Sequence, residues 1–343
     1  MLRLLAIAVL VAAGLSVSPP AHSMPAAGVV YTADEKGGSI SAIDLSNGQV
    51  ETVPVPIMPH NVQASADGRQ LYAVGMAMAA GRTGGGHKGD HHAAGGRLVV
   101  LDTNGFRAGP VAEMAVGPLP AHIVTSADGT RAFVTDSAEN VVLAIDLSAW
   151  KLGGKIPTGA YPHGLRLSPD GRELYVANIK DGSVSVIDAE RLVEVARVAV
   201  GKAPVQVGFT PDGRKVFVSL NGENKVAVID TASRKVVGKV SVGRNPVQVF
   251  AAPDGKSVYV ANQGTAKRPG NTVSVIDVAT SKVAATVTVG AGAHGVVVGD
   301  NGAFAFVSNI VDGTVSMLET ATHKAVRRFK VGAGPNGITF RGQ

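Results

Sequence analysis

The sequence predicts an all-β protein, a seven-bladed β-propeller with four-stranded blades. Three observations carry that expectation: a turn signal returns about every 42 residues, β-branched and aromatic runs fill the space between turns, and partial units at the two ends add up to one blade. The turn reads Asp67-Gly68, Asp128-Gly129, Asp170-Gly171, Asp212-Gly213, Asp254-Gly255 and Asn301-Gly302. Successive glycines lie 61, 42, 42, 42 and 47 residues apart, so the unit is 42 residues with two insertions.

Each unit unfolds in the same order. An apolar stretch such as residues 165–167 leads into the Asp-Gly turn, where Gly accepts positive φ and Asp bonds the local backbone. An aromatic and β-branched run follows, as in Tyr175-Val176-Ala177, Phe217-Val218-Ser219 and Tyr259-Val260-Ala261. A third run ends in an acid, as in Val186-Ile187-Asp188, Val228-Ile229-Asp230 and Val275-Ile276-Asp277, and a fourth such as residues 239–242 ends at a Gly. The chain starts inside a unit, with residues 29–32 as a second strand, and ends with residues 337–340 as a first strand. Six complete units and this composite make seven, and pairing the two ends removes the exposed edges of a linear stack.

Tyr175-Val176-Ala177-Asn178 followed by Ser183-Val184-Ser185-Val186-Ile187-Asp188 resembles the YVTN family of β-propeller repeats, over nearly the whole chain after residue 23. The resemblance implies the fold and leaves the activity open, because similar propellers carry haem, open lactones, bind DNA or hold copper or zinc.

Residues 1–23 read as a signal peptide. Arg3 supplies the positive start, 4–17 form a short apolar run, and Ala21-His22-Ser23 offers small residues for cleavage before a 24–343 propeller. The expected location is therefore periplasmic or secreted, with no integral membrane segment after cleavage, since no other apolar stretch is long enough to span a bilayer. The absence of Cys excludes disulfide scaffolds, thiolate zinc sites, iron–sulfur clusters and cysteine nucleophiles. A net charge of +6, spread without a basic block, speaks against a nucleic-acid partner. Lys267 and Arg268, in the insertion at 265–270, make only a small basic spot.

Positions that break the repeat carry the functional expectation. Eight residues before the turn glycines stand His60, Ala121, His163, Val205, Val247 and His294, with Asn336 as the C-terminal equivalent. These positions start the innermost strands and ring the channel mouth. His60, His163 and His294 fall on blades I, III and VI, as near to threefold spacing as seven positions permit, and three imidazoles suit copper or zinc. His122 lies one residue further along its strand, where alternation turns it away unless a bulge intervenes. The insertion in blade I, residues 81–96, adds His87, Asp90, His91 and His92 among glycines over the same face. Met58, Met76 and Met78 nearby tilt the expectation toward copper.

The expected function is a metal-binding carrier or sensor, with a periplasmic protein as partner and without catalysis. Two alternatives stand beside it. Pro162-His163-Gly164 matches a short motif of streptogramin lyase, where His163 would serve as a general base. A scaffold for protein, haem or nucleic acid would use the same face without chemistry.

Overall fold

The computed structural model describes residues 27–78 and 95–342. The expected signal segment, and with it the 1–23 boundary, lies outside them. Within the described residues, 28 strands form seven four-stranded antiparallel sheets. Blades I to VI occupy residues 57–115, 120–157, 162–199, 204–241, 246–288 and 293–330. The seventh blade joins Pro335–Arg341, as its innermost strand, to Val29–Asp34, Ser39–Asp44 and Val50–Pro54. Val30 pairs with Phe340, Tyr31 with Thr339 and Thr32 with Ile338, so the ring closes by hydrogen bonds between the two ends of the chain. No helix among the described residues is long and apolar enough to cross a membrane.

The second strand of every blade contributes one aromatic to the core: Tyr31, Tyr72, Phe133, Tyr175, Phe217, Tyr259 and Phe306, all at most 4% exposed. Each packs among Val, Ile and Ala in the interface between neighbouring blades. The outermost strands alternate instead, leaving Val111, Val193, Val237 and Val326 exposed at the rim. The insertion at 265–270 is a longer hairpin than its neighbours have, with Gly264 opposite Pro269 and Thr265 opposite Arg268.

Two local devices shape the channel mouth. The first is a β-bulge at the head of the innermost strands. In blade II Pro120 pairs with Asp136 and Ile123 with Val134, so Ala121 and His122 together oppose Thr135. Blades III to VI repeat this, and in blade I the extra residue is His60, between Pro59 opposite Gly75 and Asn61 opposite Val74. The second is a hydroxyl on the adjacent strand. Thr135 Oγ1 accepts from the His122 N–H (3.0 Å) and donates to the carbonyl of His163 in the next blade (2.7 Å). Ser308 does the same between Gly295 N–H and Asn336 O. The bulge is thereby satisfied and tied to its neighbour.

At the end of the second strand, Asn178, Asn262 and Asn309 each donate to two hydroxyls of the third strand. Asp34 holds that place in the seventh blade, accepting from Thr32, Ser39 and Ser41 while fully buried. Burial outweighs those hydrogen bonds and pushes its carboxyl up to about 6. The folded chain therefore holds this proton more tightly than the unfolded chain does. The stability involved is fully present below pH 3.8 and is lost as pH rises through about 6. Asp34→Asn, the residue three other blades already use, should gain stability over wild type across that window, by up to on the order of 2–3 kcal/mol at pH 7. Denaturation of both proteins at pH 4 and pH 7 checks this. A difference that does not change with pH contradicts it.

Candidate metal centre

His60, His122 and His163 meet at the channel mouth, one imidazole from each of blades I, II and III, with a nitrogen of each within 4.8 Å of the others. Their ring centroids lie 4.8 to 5.6 Å apart. The cluster therefore gathers on three consecutive blades rather than at near-threefold spacing. His122 enters it because the bulge cancels the alternation that would have turned it away. His294, on blade VI, is not part of this group. It is buried, with Nδ1 3.2 Å from the carbonyl of Asn336. His87, Asp90, His91 and His92 lie outside the described residues.

Each imidazole is aimed by a specific partner. His163 Nδ1 faces the carbonyl of Val205 in blade IV at 3.2 Å, and His60 Nδ1 faces Glu35 Oε1 at 3.0 Å. Carbonyl and carboxylate oxygens only accept, so both Nδ1 atoms carry hydrogens and both Nε2 atoms, when neutral, present lone pairs. Those two Nε2 atoms stand 3.2 Å apart. Two lone pairs at that separation repel unless a cation lies between them, either a proton on His60 or a metal ion. Imidazole nitrogens bound at about 2.0–2.1 Å to one tetrahedral ion would themselves lie about 3.3–3.4 Å apart.

His122 is 1% exposed and differs from the other two. Gln206 Oε1 accepts from the Val207 N–H (2.9 Å), which turns its amide nitrogen toward His122 Nδ1 at 3.4 Å. With Nδ1 accepting, the proton of neutral His122 sits on Nε2. Coordination through Nε2 would move it to Nδ1 and turn the Gln206 amide over.

Electrostatics assign the proton. Burial disfavours charge on His60, but the Glu35 carboxylate and its hydrogen bond outweigh burial and raise its pKa. Burial also resists ionisation of Glu35, yet His60, with a further hydrogen bond from Asn336 Nδ2 at 2.7 Å, brings it down to about 2. Burial, and after it the charge of His60, lowers His163 to about 3 and His294 to about 4. Burial and then His163 hold His122 well below the usual imidazole range. The proton at the mouth is thus favoured on His60, beside Glu35, over His122, His163 and His294, which burial keeps in the neutral form a metal requires of its ligands.

Glu35 and Gln206 are site residues that the sequence analysis missed. Glu35 leaves a trace in the repeat, its position being Met76, Ser137, Ile179, Asn221, Gln263 and Ile310 in the other blades, whereas Gln206 is matched by Gln248 in the next blade. Gly164 is a third. A methyl group there would stand 2.5 Å from the Val205 carbonyl oxygen and closer still to Gln206 Oε1. Because one of these atoms is backbone, the side chain alone cannot give way.

Residues 112–256 match the model of the YNCE-like beta-propeller family. Together with seven four-stranded blades, the match fits a propeller of the YVTN type. No curated protein matches it. Among solved structures it is similar to hydrazine synthase of Kuenenia stuttgartiensis, with 22% identity, TM-score 0.70, and 81% of this chain and 88% of that one covered. It is also similar to a functionally unknown protein from Desulfotomaculum acetoxidans (16%, TM-score 0.74, 92% and 99% covered). The dihydro-heme d1 dehydrogenase NirN is a third (14%, TM-score 0.64, 95% and 77% covered). At these identities the likeness concerns the fold alone.

Gly164→Ala should destabilise the protein by about 1–3 kcal/mol through overpacking against blade IV. Gly238→Ala, where the added methyl meets open space, should change stability by less than about 0.5 kcal/mol. Equal effects of the two substitutions in chemical denaturation would contradict this packing account.

Proposed function

We propose that the chain is a periplasmic or secreted propeller that binds one copper or zinc ion at the channel mouth through His60, His122 and His163, as a carrier or sensor rather than a catalyst. The observation that carries this reading is the confrontation of the His60 and His163 Nε2 atoms at 3.2 Å with His122 beside them. Glu35 and the Val205 carbonyl would act on the far side of two ligands, fixing ring orientation and raising basicity, as carboxylates and carbonyls do behind metal-bound imidazoles. Bound there, the ion would supply a Lewis-acidic centre with a position open to water or to a partner's ligand.

The side chain of His60 keeps 23% exposure, so the site faces solvent on one side. Met58 and Met76 are cross-strand partners in blade I, two residues from His60 and close to the insertion, and soft thioethers there favour copper. His87, Asp90, His91 and His92 would gather the ion from solution, and a periplasmic protein would exchange it. The low basicity of His163 speaks against the general-base alternative.

A chain with His87, His91 and His92 replaced by Ala isolates the channel site. Competition titrations, with Zn²⁺ and anaerobically with Cu⁺, should show one equivalent bound, weakened at least about 100-fold by His163→Ala and about 10–100-fold by Glu35→Gln. Unchanged affinity after replacing His60, His122 and His163 together by Ala overturns the proposal.

A further inference from the structure

Arg166 is a cation without an acid. It lies three residues beyond His163 on the innermost strand of blade III, Pro162–Leu167. Leu165 and Leu167 on either side of it pack into the interface with blade II, so its side chain leaves from the opposite face. It is half-buried, and its charge acts on His122, so the guanidinium lies near the histidine cluster at the channel mouth. Its hydrogen bond runs from one Nη to the carbonyl of its own neighbour Leu165, at 3.1 Å. Most of the five guanidinium N–H donors are left without a protein partner. None of the ion pairs among the described residues includes it.

The repeat shows how unusual this is. Five residues before the turn glycine, the other blades place Gln63, Val124, Gly208, Phe250 and Val297, with Thr339 in the C-terminal strand. Arg166 is thus the one charge at its level of the channel. Burial draws the pKa of Arg166 down to about 10, and its charge is among those that depress His122, so the cation is partly desolvated and felt at the histidine cluster.

We infer that the channel next to the histidine cluster is a binding site for a small planar monoanion of the carboxylate type, held on the Arg166 fork. One unpaired positive charge calls for one negative charge. Two parallel N–H groups match a flat carboxylate. The equivalent residues Val124 and Val297 are buried in the interfaces between blades, so the surroundings at this level are largely apolar and poorly suited to a dianion. The inference does not depend on the metal assignment, because the cation lacks a partner with or without an ion above it.

The test uses the chain stripped of metal with phenanthroline and dialysed, then titrated with acetate and, separately, inorganic phosphate, followed by thermal shift and by NMR of carbon-13 acetate. Wild type should bind one acetate saturably and gain thermal stability, with phosphate at least about tenfold weaker. Arg166→Gln should lose at least about tenfold in acetate affinity. Arg166→Lys, which keeps the charge without the fork, should fall between the two and serves where the Gln variant does not fold. No saturable acetate binding to wild type, equal binding by both variants, or phosphate binding tighter than acetate overturns the inference. Metal titrations run in carboxylate-free buffer are scored separately, so failure of either assignment leaves the other readable.

Discussion

An extra residue at the head of an innermost strand places two successive side chains opposite one residue of the neighbouring strand, and the channel mouth depends on that bulge. In regular antiparallel pairing His60 and His122 could not both reach the axis, because the pleat would send one of two adjacent register positions into a blade interface. The bulge frees a backbone N–H that must find an acceptor in a buried place. In blade II Thr135 accepts it and passes its own hydrogen to the next blade, at the carbonyl of His163. One hydroxyl therefore satisfies the irregularity of blade II and sets the height of an imidazole on blade III. The cluster is rigid because the blades are stitched together where they approach the axis.

Within that frame the electrostatics are uneven. Neutral imidazoles are comfortable in a low-dielectric channel, and a carboxylate or guanidinium is not. Glu35 is compensated by His60 and Asn336, and the pair keeps a carboxylate and an imidazolium where burial alone would discharge both. Arg166 has no such compensation among the described residues. The mouth is thus a place where added cations and anions have partners waiting: the lone pair of His163, joined by that of His60 once its proton leaves, on one side, guanidinium N–H groups on the other. A metal ion and an anion in adjacent positions would reinforce each other, whereas either alone would meet part of its charge unopposed.

The seven blades give the protein sevenfold regularity in its core and none in its site. Each blade buries an aromatic, six close a turn with Asp or Asn and five end the second strand on a short Asp or Asn, and these features recur because they stabilise each blade in the same way. Glu35, His122 and Arg166 occur once each at their level, Gln206 is matched only by Gln248, and histidine heads three of the seven innermost strands. A ring of equivalent positions facing one axis lets a few substitutions meet in space without disturbing the packing of any blade. The same property lets similar frames serve hydrazine synthase and a d1-haem dehydrogenase, which is why the likeness to them stops at the fold.

The architecture was legible in the sequence because its causes are local and periodic. Asp-Gly turns, β-branched runs and the spacing of glycines specify strands and reversals one unit at a time, and simple counting closes the ring. The histidines were also visible as departures from the repeat, and so, on the same comparison, were Glu35 and Arg166. What the sequence could not supply was which departures meet. It favoured His294 over His122 because alternation was the rule at hand, and the bulge that suspends the rule is a property of strand pairing, present also where Ala177 or Ala261 stands in place of Thr135. Sequence alone determined the number, order and strand content of the blades, since six are set by contacts within one repeat and the seventh follows from the partial units at the two ends. Tertiary structure decided which imidazoles share a site and which charges go unpaired, since those depend on distances across the channel between residues up to 301 positions apart.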